Sequence, residues 1–549
     1  MKTGGQLVVE ALEANGVDRI YCVPGESYLA VLDALHDSPI RTIVCRQEGG
    51  AAMMADCHGK LTGRPGICFV TRGPGATNAS AGIHIAMQDS TPLIMFVGQI
   101  ATRIRDRDAF QEVDYRAVFG GLAKWATEID DAARIPEIVT RAFAVATSGR
   151  PGPVVIALPE DMLTSLAEAP AALPHTPVET APGPAEMQKL DELLKNAKRP
   201  FVILGGSRWS ATAKSRMEKA AEAWALPVGC SFRRQMLFDH LHPCYSGDVG
   251  IGPNPKLAQY IKDADLVLLI GGRFGEMPSS DYSLLKSPYP DQTLVHVHPD
   301  AGELGRVYRP TLAINASPEA FAHAFAATVP SAPPAWEPEA ERLHGAYLAW
   351  STPPETGPGP VQMGPIMAWL EKALPDDAIL TNGAGNYATW IHRFHRFRRF
   401  ATQAAPTSGS MGYGTPAAVA AKDLFPERTV VAFAGDGCFL MNGQEFATAV
   451  QYGLPIVVVV VNNGIYGTIR MHQEREYPGR VVATDLQNPD FAALARAYGG
   501  HGETVEATED FAPAFERAVA SGKPAIVEVK LDPEAITPTR TLSAIRDKR

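Results

Sequence analysis

GDGCFLMNGQEFATAVQYGLPIVVVVVNNGIYG, residues 435–467, is the stretch from which the fold can be read. Just before it, Val430-Val431-Ala432-Phe433-Ala434 is an apolar run of strand length that stops at Gly435-Asp436-Gly437. A helical pattern follows, with Phe439, Phe446, Ala449 and Val450 among its apolar positions, and Gly453-Leu454-Pro455 ends it. Ile456 to Val461 is a β-branched run suited to a strand covered on both faces, as in a parallel sheet. The unit is strand, turn, helix, strand. Both strands of such a unit end at the same sheet edge, so Asp436 and Asn463 can meet although they lie 27 positions apart. A carboxylate and an amide oxygen beside glycines that allow close backbone approach suit Mg²⁺ shared with a diphosphate, because magnesium takes few protein ligands and keeps phosphate oxygens. A bare GDG is more often a capped turn; the whole arrangement is what points to a ligand.

The 549-residue chain is too long for one core and predicts about three domains. A net charge of −10 with mixed signs and no long Lys/Arg block gives no electrostatic footprint for nucleic acid or an acidic membrane, so small molecules are the expected ligands. Seven cysteines, none in CxxC and none at zinc spacing with His, argue against a disulfide framework or structural zinc. A reducing cytoplasm is expected. The N-terminus runs directly into an amphipathic helix pattern without a signal-peptide core, and no apolar run is long enough to span a membrane.

Pro- and Ala-rich stretches at 165–186 and 330–361 are read as linkers. They divide the chain into 1–164, 187–329 and 362–549. The first segment alternates helices with strands around Ile20 to Val23, Arg41 to Cys45, Ile67 to Thr71 and Leu93 to Val97, which predicts a parallel sheet covered by helices. Its ICFVTRGPGATNASAGIHIAMQDSTPLIMFVGQ repeats the order of the 435–467 unit, with 19 residues from Gly73 to Pro92 against 20 from Gly435 to Pro455. The outer segments are therefore expected to be versions of one fold. In the middle segment, Gly205-Gly206 and Gly271-Gly272 read as tight turns at the ends of strands in another α/β domain.

GDG followed at this spacing by NN resembles the signature of thiamine-diphosphate-dependent enzymes, and the similarity to the acetolactate synthase type extends over nearly the whole chain. It implies an α/β protein of three domains, pyrimidine-binding, central and diphosphate-binding, with parallel sheets covered by helices. It also implies thiamine diphosphate and Mg²⁺ as cofactors. The cofactor would lie between the first domain of one subunit and the third of another, making a homodimer the minimum active unit and a homotetramer compatible with it.

On this resemblance Glu48, at the end of a strand in CRQEGGAAMMADCHGKLTG, bonds N1′ of the cofactor's pyrimidine. Proton exchange there converts the 4′-amino group into a base for the weakly acidic thiazolium C2–H. Pro24 and the loop Gly73-Pro74-Gly75-Ala76-Thr77-Asn78 surround the pyrimidine, with Pro74 and Asn78 as contacts. Gly385, Asn386 and Tyr387 match a diphosphate loop, and Gly409 with Met411 the loop that props the cofactor into its bent form. Asp436, Asn463 and the main chain at Ile465 bind the metal; Gly437, Cys438, Tyr466 and Gly467 complete the cofactor set. Phe110-Gln111-Glu112 matches the Phe-Gln-Glu element of acetolactate synthases, with Gln111 as a second catalytic residue.

Several positions depart from that family. Gly275-Glu276-Met277 replaces Asp-Asp-Arg after Gly271-Gly272-Arg273-Phe274, which counts against FAD and against the usual oxoacid contact. Glu26 and Ser27 stand where Gly and Ala are usual, Arg72 replaces a small residue, and His472 replaces a specificity-setting Trp. Glu26, Ser27, Arg72, Phe110 and His472 are the expected substrate determinants. The leading expectation is decarboxylation of a 2-oxo acid followed by carboligation. The alternatives are a lyase of the 2-hydroxyacyl-CoA or oxalyl-CoA type, another 2-oxo acid decarboxylase, or a cofactor-binding regulatory subunit without catalysis.

Overall fold

The computed structural model describes residues 1–330 and 332–548. Three six-stranded, wholly parallel sheets account for all but one strand pair of the described residues, Lys2–Thr3 with Leu166–Ala167. In the first domain the strands are β1 (Arg19–Cys22), β2 (Arg41–Val44), β3 (Gly66–Val70), β4 (Leu93–Gln99), β5 (Trp125–Glu128) and β6 (Pro153–Pro159), in spatial order β2-β1-β3-β4-β6-β5. The middle domain has β7 (Pro200–Leu204), β8 (Val228–Ser231), β9 (Tyr245–Val249), β10 (Leu266–Ile270), β11 (Thr293–Val297) and β12 (Leu312–Ile314), ordered β9-β8-β7-β10-β11-β12, a doubly wound sheet. The third has β13 (Ile379–Asn382), β14 (Gln403–Ala404), β15 (Val430–Gly435), β16 (Val457–Asn462), β17 (His501–Val505) and β18 (Ala525–Lys530), ordered β14-β13-β15-β16-β18-β17. Numbered within each domain, the first and third orders are identical. The repeat seen between Gly73 and Gly435 is thus a repeat of topology.

The apolar runs became central strands for the expected reason: every residue of Val457–Asn462 is buried, because helices cover both sheet faces. Helix α1 (Glu48–Thr62) packs against α2 (Pro74–Asp89), and α3 (Gly414–Leu424) packs against α1. Their small side chains permit this; a Cβ on Gly82 would come within 2.4 Å of Ala52 Cβ. One apolar core runs through both outer domains, from Tyr21 and Met95 to Phe446 and Ile526.

The linkers need revision. The first is shorter than 165–186, since Leu166–Ala167 pairs in a sheet and a helix starts at Pro184. The second contains the helix Glu337–Trp350, whose Leu343 and Tyr347 are buried on the middle domain. Proline clusters flank this segment, but EPEAERLHGAYLAW itself is rich in helix formers and carries its proline in the first turn, where no hydrogen bond is lost. Among the described residues no helix is long and apolar enough to cross a membrane.

Candidate active site

At the carboxyl edge of the third sheet, β15 delivers Asp436 into the short helix α4 (Asp436–Asn442), and β16 delivers Asn463 into the turn before α6 (Gly467–Glu476); α5 (Glu445–Tyr452) lies between them. They border a cavity of about 240 Å³. Every third-domain residue assigned to the cofactor lines it: Gly385, Asn386, Tyr387, Gly409, Met411, Asp436, Gly437, Cys438, Asn463, Ile465, Tyr466 and Gly467.

Asp436 Oδ1 accepts the Gly437 N–H at 2.8 Å; Oδ2 accepts the Gly464 N–H at 2.8 Å and the Asn488 amide at 2.8 Å. Burial raises its carboxyl pKa above the ordinary 3.8 against these hydrogen bonds, a balance that a cation would tip towards the charged form. Among the described residues Asn463 Oδ1 is held only by the Ile465 N–H at 3.3 Å, whereas Asn462 turns inward to Glu528 and Asn488. One carboxylate, one amide oxygen and a main-chain carbonyl fit a hard cation sharing phosphate oxygens. No group of three His, Cys, Asp or Glu able to hold a metal occurs among the described residues, and this donor set does not require one.

Glycine is needed where the walls close in: a Cβ on Gly437 would lie 2.5 Å from Tyr466 Cε1. Tyr387 and Cys438 stiffen the cradle. The phenol contacts the Cys438 thiol at 3.2 Å and accepts the Gly383 N–H, while the thiol accepts the Gly412 N–H. Burial pushes the Cys438 thiol pKa up, so it serves here as a neutral hydrogen-bonding group.

Glu48 opens α1 at the carboxyl edge of the first sheet, half-buried, with Oε2 accepting the Asn78 amide at 3.0 Å. Gly75 lies against it, since a Cβ there would be 3.2 Å from Glu48 Oε1. Gln111, with a left-handed backbone (φ 63°), packs over Gly73. Pro24, Pro74 and Asn78 are exposed. No first-domain residue lines the third-domain cavity.

Arg72 is buried and fans out to Glu26 (3.1 Å), Glu160 (3.2 Å) and the Phe110 carbonyl (3.2 Å). The added Arg and Glu are therefore partners of each other. Ser27 corrects an expectation: it is fully buried, its hydroxyl 2.8 Å from Thr71 Oγ1, and it supports the loop from behind. Phe110 is 72% exposed. His472 is exposed on α6, bonded to Arg475, and does not line the cavity. In the middle domain Gly206 and Gly271 pack backbone to backbone, closed over by Trp209 and Pro318, which gives the glycine pairs a structural reason.

Three residues of this region gave no usable sequence signal. Asn488 holds Asp436 from a distant loop, and Thr468 Oγ1 fixes the Asn386 amide at 2.9 Å. Glu445, fully buried at the start of α5, accepts the Arg46 and Gln47 N–H groups just ahead of Glu48, at 3.0 and 2.9 Å. A lone acid on an apolar helix face was the only hint.

Two outer sheets of identical strand order, one with this cavity at its carboxyl edge and the other with Glu48 at its own, fit a thiamine-diphosphate-binding architecture, and comparison with known proteins agrees. Residues 2–118, 187–325 and 383–529 match the N-terminal TPP binding, central and C-terminal TPP binding domains of thiamine pyrophosphate enzymes. The chain is 30% identical to acetolactate synthase isozyme 2 large subunit of Escherichia coli K12, over 96% of this chain and 95% of that one. It is 31% identical to an acetolactate synthase large subunit of Parasynechococcus marenigrum (96% and 87% covered) and 30% to a probable one of Methanocaldococcus jannaschii (97% and 93%). The chain belongs to the thiamine pyrophosphate enzymes, and within them it is acetolactate synthase-like.

Proposed function

We propose that this protein is a Mg²⁺-dependent carboligase that decarboxylates a 2-oxo acid and joins the remaining fragment to a second carbonyl compound, as a homodimer or homotetramer with sites shared between subunits. The observation that carries the reading is the division of the site: a metal and diphosphate cavity built wholly from the third domain, and Glu48 half-buried on the first. Large apolar side chains are exposed beside both halves, Leu29 and Phe110 on one, Leu440, Met441 and Ile469 on the other, as expected of surfaces that meet in an assembly.

When bound, thiamine diphosphate supplies the carbanion chemistry at its thiazolium ring. The protein's part is binding and proton handling. Asp436, the Asn463 side-chain oxygen and the Ile465 carbonyl would hold the cation, and Gly385 to Tyr387 with Gly437 and Cys438 the diphosphate. Glu48, oriented by Asn78, exchanges a proton at the pyrimidine N1′. Met411, on the cavity wall, would support the bound cofactor, and Gln111 would donate to the substrate's oxygens. Arg72, balanced by Glu26 and Glu160, shapes the substrate approach without presenting an unpaired charge.

Turnover with a panel of 2-oxo acids and acyl-CoAs, products identified by mass spectrometry, is the test. Acetolactate-type products that disappear on chelation of Mg²⁺ and return on its addition are expected. Turnover of acyl-CoAs alone would replace this reading with that of a lyase.

A further inference from the structure

A second cavity of about 130 Å³ lies at the opposite edge of the first-domain sheet, bordered by the residues that precede β1 and β3 and roofed by His175 and Pro177 of the first linker. It is remote from the catalytic half-site: β3 spans the sheet between the two edges, a distance of roughly 15 Å for five residues. Helix α1 runs the same way, with Glu48 at one end and His58 on the cavity wall ten positions later.

The lining is built for an anion of one charge. Arg64 is bonded to the Gly16 carbonyl and, among the described residues, forms no salt bridge. Arg19 reaches Asp18 at 3.2 Å and Asp423 at 2.8 Å, and Asp423 is shared with Arg41 at 2.9 Å, so these two arginines and two carboxylates balance. One positive charge is left over. Two imidazoles add donors. His58 is 6% exposed; its Nδ1 is sealed off and, among the described residues, has no hydrogen-bond partner, so contact with a guest falls to Nε2. His175 is tethered through its main-chain N–H to Asn15 Oδ1 at 2.9 Å and through Nε2 to Thr147 Oγ1 at 3.4 Å, which fixes the linker over the opening and leaves Nδ1 for a guest. Burial, reinforced by Arg19 and Arg64 and opposed by Asp18, pushes His58 down to about 4, so at neutral pH it can donate one N–H without adding a charge. Phe143, Val17 and Pro65 give the wall an apolar part, beside the polar Asn15 and Thr147. Its volume is close to that of a protein cavity that accepts a benzene-sized guest.

We propose that this cavity is a binding site for a small monocarboxylate, its carboxylate held by Arg64 and the two histidines and its short apolar body against Phe143 and Val17. A phosphate dianion would bring more charge than one free arginine balances and would leave the apolar wall unused. The proposal is independent of the reading of the cofactor cavity.

Titration of the full-length chain with ¹³C-labelled isobutyrate, which cannot be decarboxylated as a 2-oxo acid, followed by ligand line broadening, tests it. Saturable binding is expected, weakened about tenfold or more by Arg64→Ala and by His175→Ala, largely retained in Arg64→Lys, and unchanged in Asn463→Ala at the other cavity. Both altered side chains lie at the surface or half-exposed, so circular dichroism of the variants should match the parent. Absence of saturable binding up to about 10 mM overturns the proposal. So does binding that Asn463→Ala abolishes while Arg64→Ala and His175→Ala leave it intact.

Discussion

Glu48 opens α1 and Glu445, from the start of α5, accepts the N–H groups just ahead of it; the two carboxylates have opposite situations. Glu48 is half-exposed and held by a single amide. Its replacement by Gln keeps shape and the bond to Asn78 while removing the exchangeable proton, so turnover should fall by about two to four orders of magnitude with thiamine diphosphate affinity, read by calorimetry, nearly unchanged. Glu445 is fully buried, and burial raises its carboxyl from 4.5 to about 7 despite hydrogen bonds from Thr448, Arg46 and Gln47. The folded protein therefore holds a proton that the unfolded chain has released between these values. The associated stability is fully present below about pH 4.5 and is lost as pH rises through about 7. Thermal midpoints measured from pH 5 to 8 should fall in the parent relative to Glu445→Gln, whose amide keeps the neutral form throughout. Glu48 was legible because a family pattern surrounds it. Glu445 was not, because beyond its neighbour Thr448 its partners are main-chain groups almost 400 residues away.

Among elements, the strand-turn-helix-strand units were the legible part. Buried parallel strands are apolar at every position, so β15 and β16 announced themselves, and the residues after them had only one sheet edge to occupy. Less visible was what a loop does once it arrives there: Ser27 looked like a substrate contact and turned inward, because its strand-end neighbour Thr71 takes the hydroxyl. The helix Glu337–Trp350 was hidden by prolines on either side of it. The tight fit of the α4 turn gives a test of the cavity. In Gly437→Ala the new methyl meets the Tyr466 ring at 2.5 Å, and displacement of that ring should weaken cofactor binding by about tenfold, measured by calorimetry, with the melting temperature little changed.

In the whole molecule, α1 is the joint between the outer domains, and charge is buried in it. Lys60 on α1 is paired with Asp56 at 2.5 Å and with Asp89 of α2, while the Tyr413 phenol donates to Asp56 at 2.8 Å and Asp89 accepts the Thr407 N–H from the third domain. Burial raises the Asp56 carboxyl; against the same burial, Lys60 and Arg234 hold Asp89 low. Removing the lysine leaves two carboxylates without their cation, so Lys60→Met should cost about 3–5 kcal/mol in denaturant unfolding, partly restored by Asp89→Asn in the same chain. At the outer surface, Met441 of α4 is 47% exposed. Met441→Glu should shift the sedimentation profile towards monomer and lower activity in step with the loss of assembly. The joint also sets a schedule. Arg46 waits for Glu445, 399 residues downstream, and the core they close is common to both domains. At ordinary elongation rates the first domain stands outside the ribosome for tens of seconds with the flank of α1 bare. During that interval it is a client for chaperones, and slower translation lengthens the exposure.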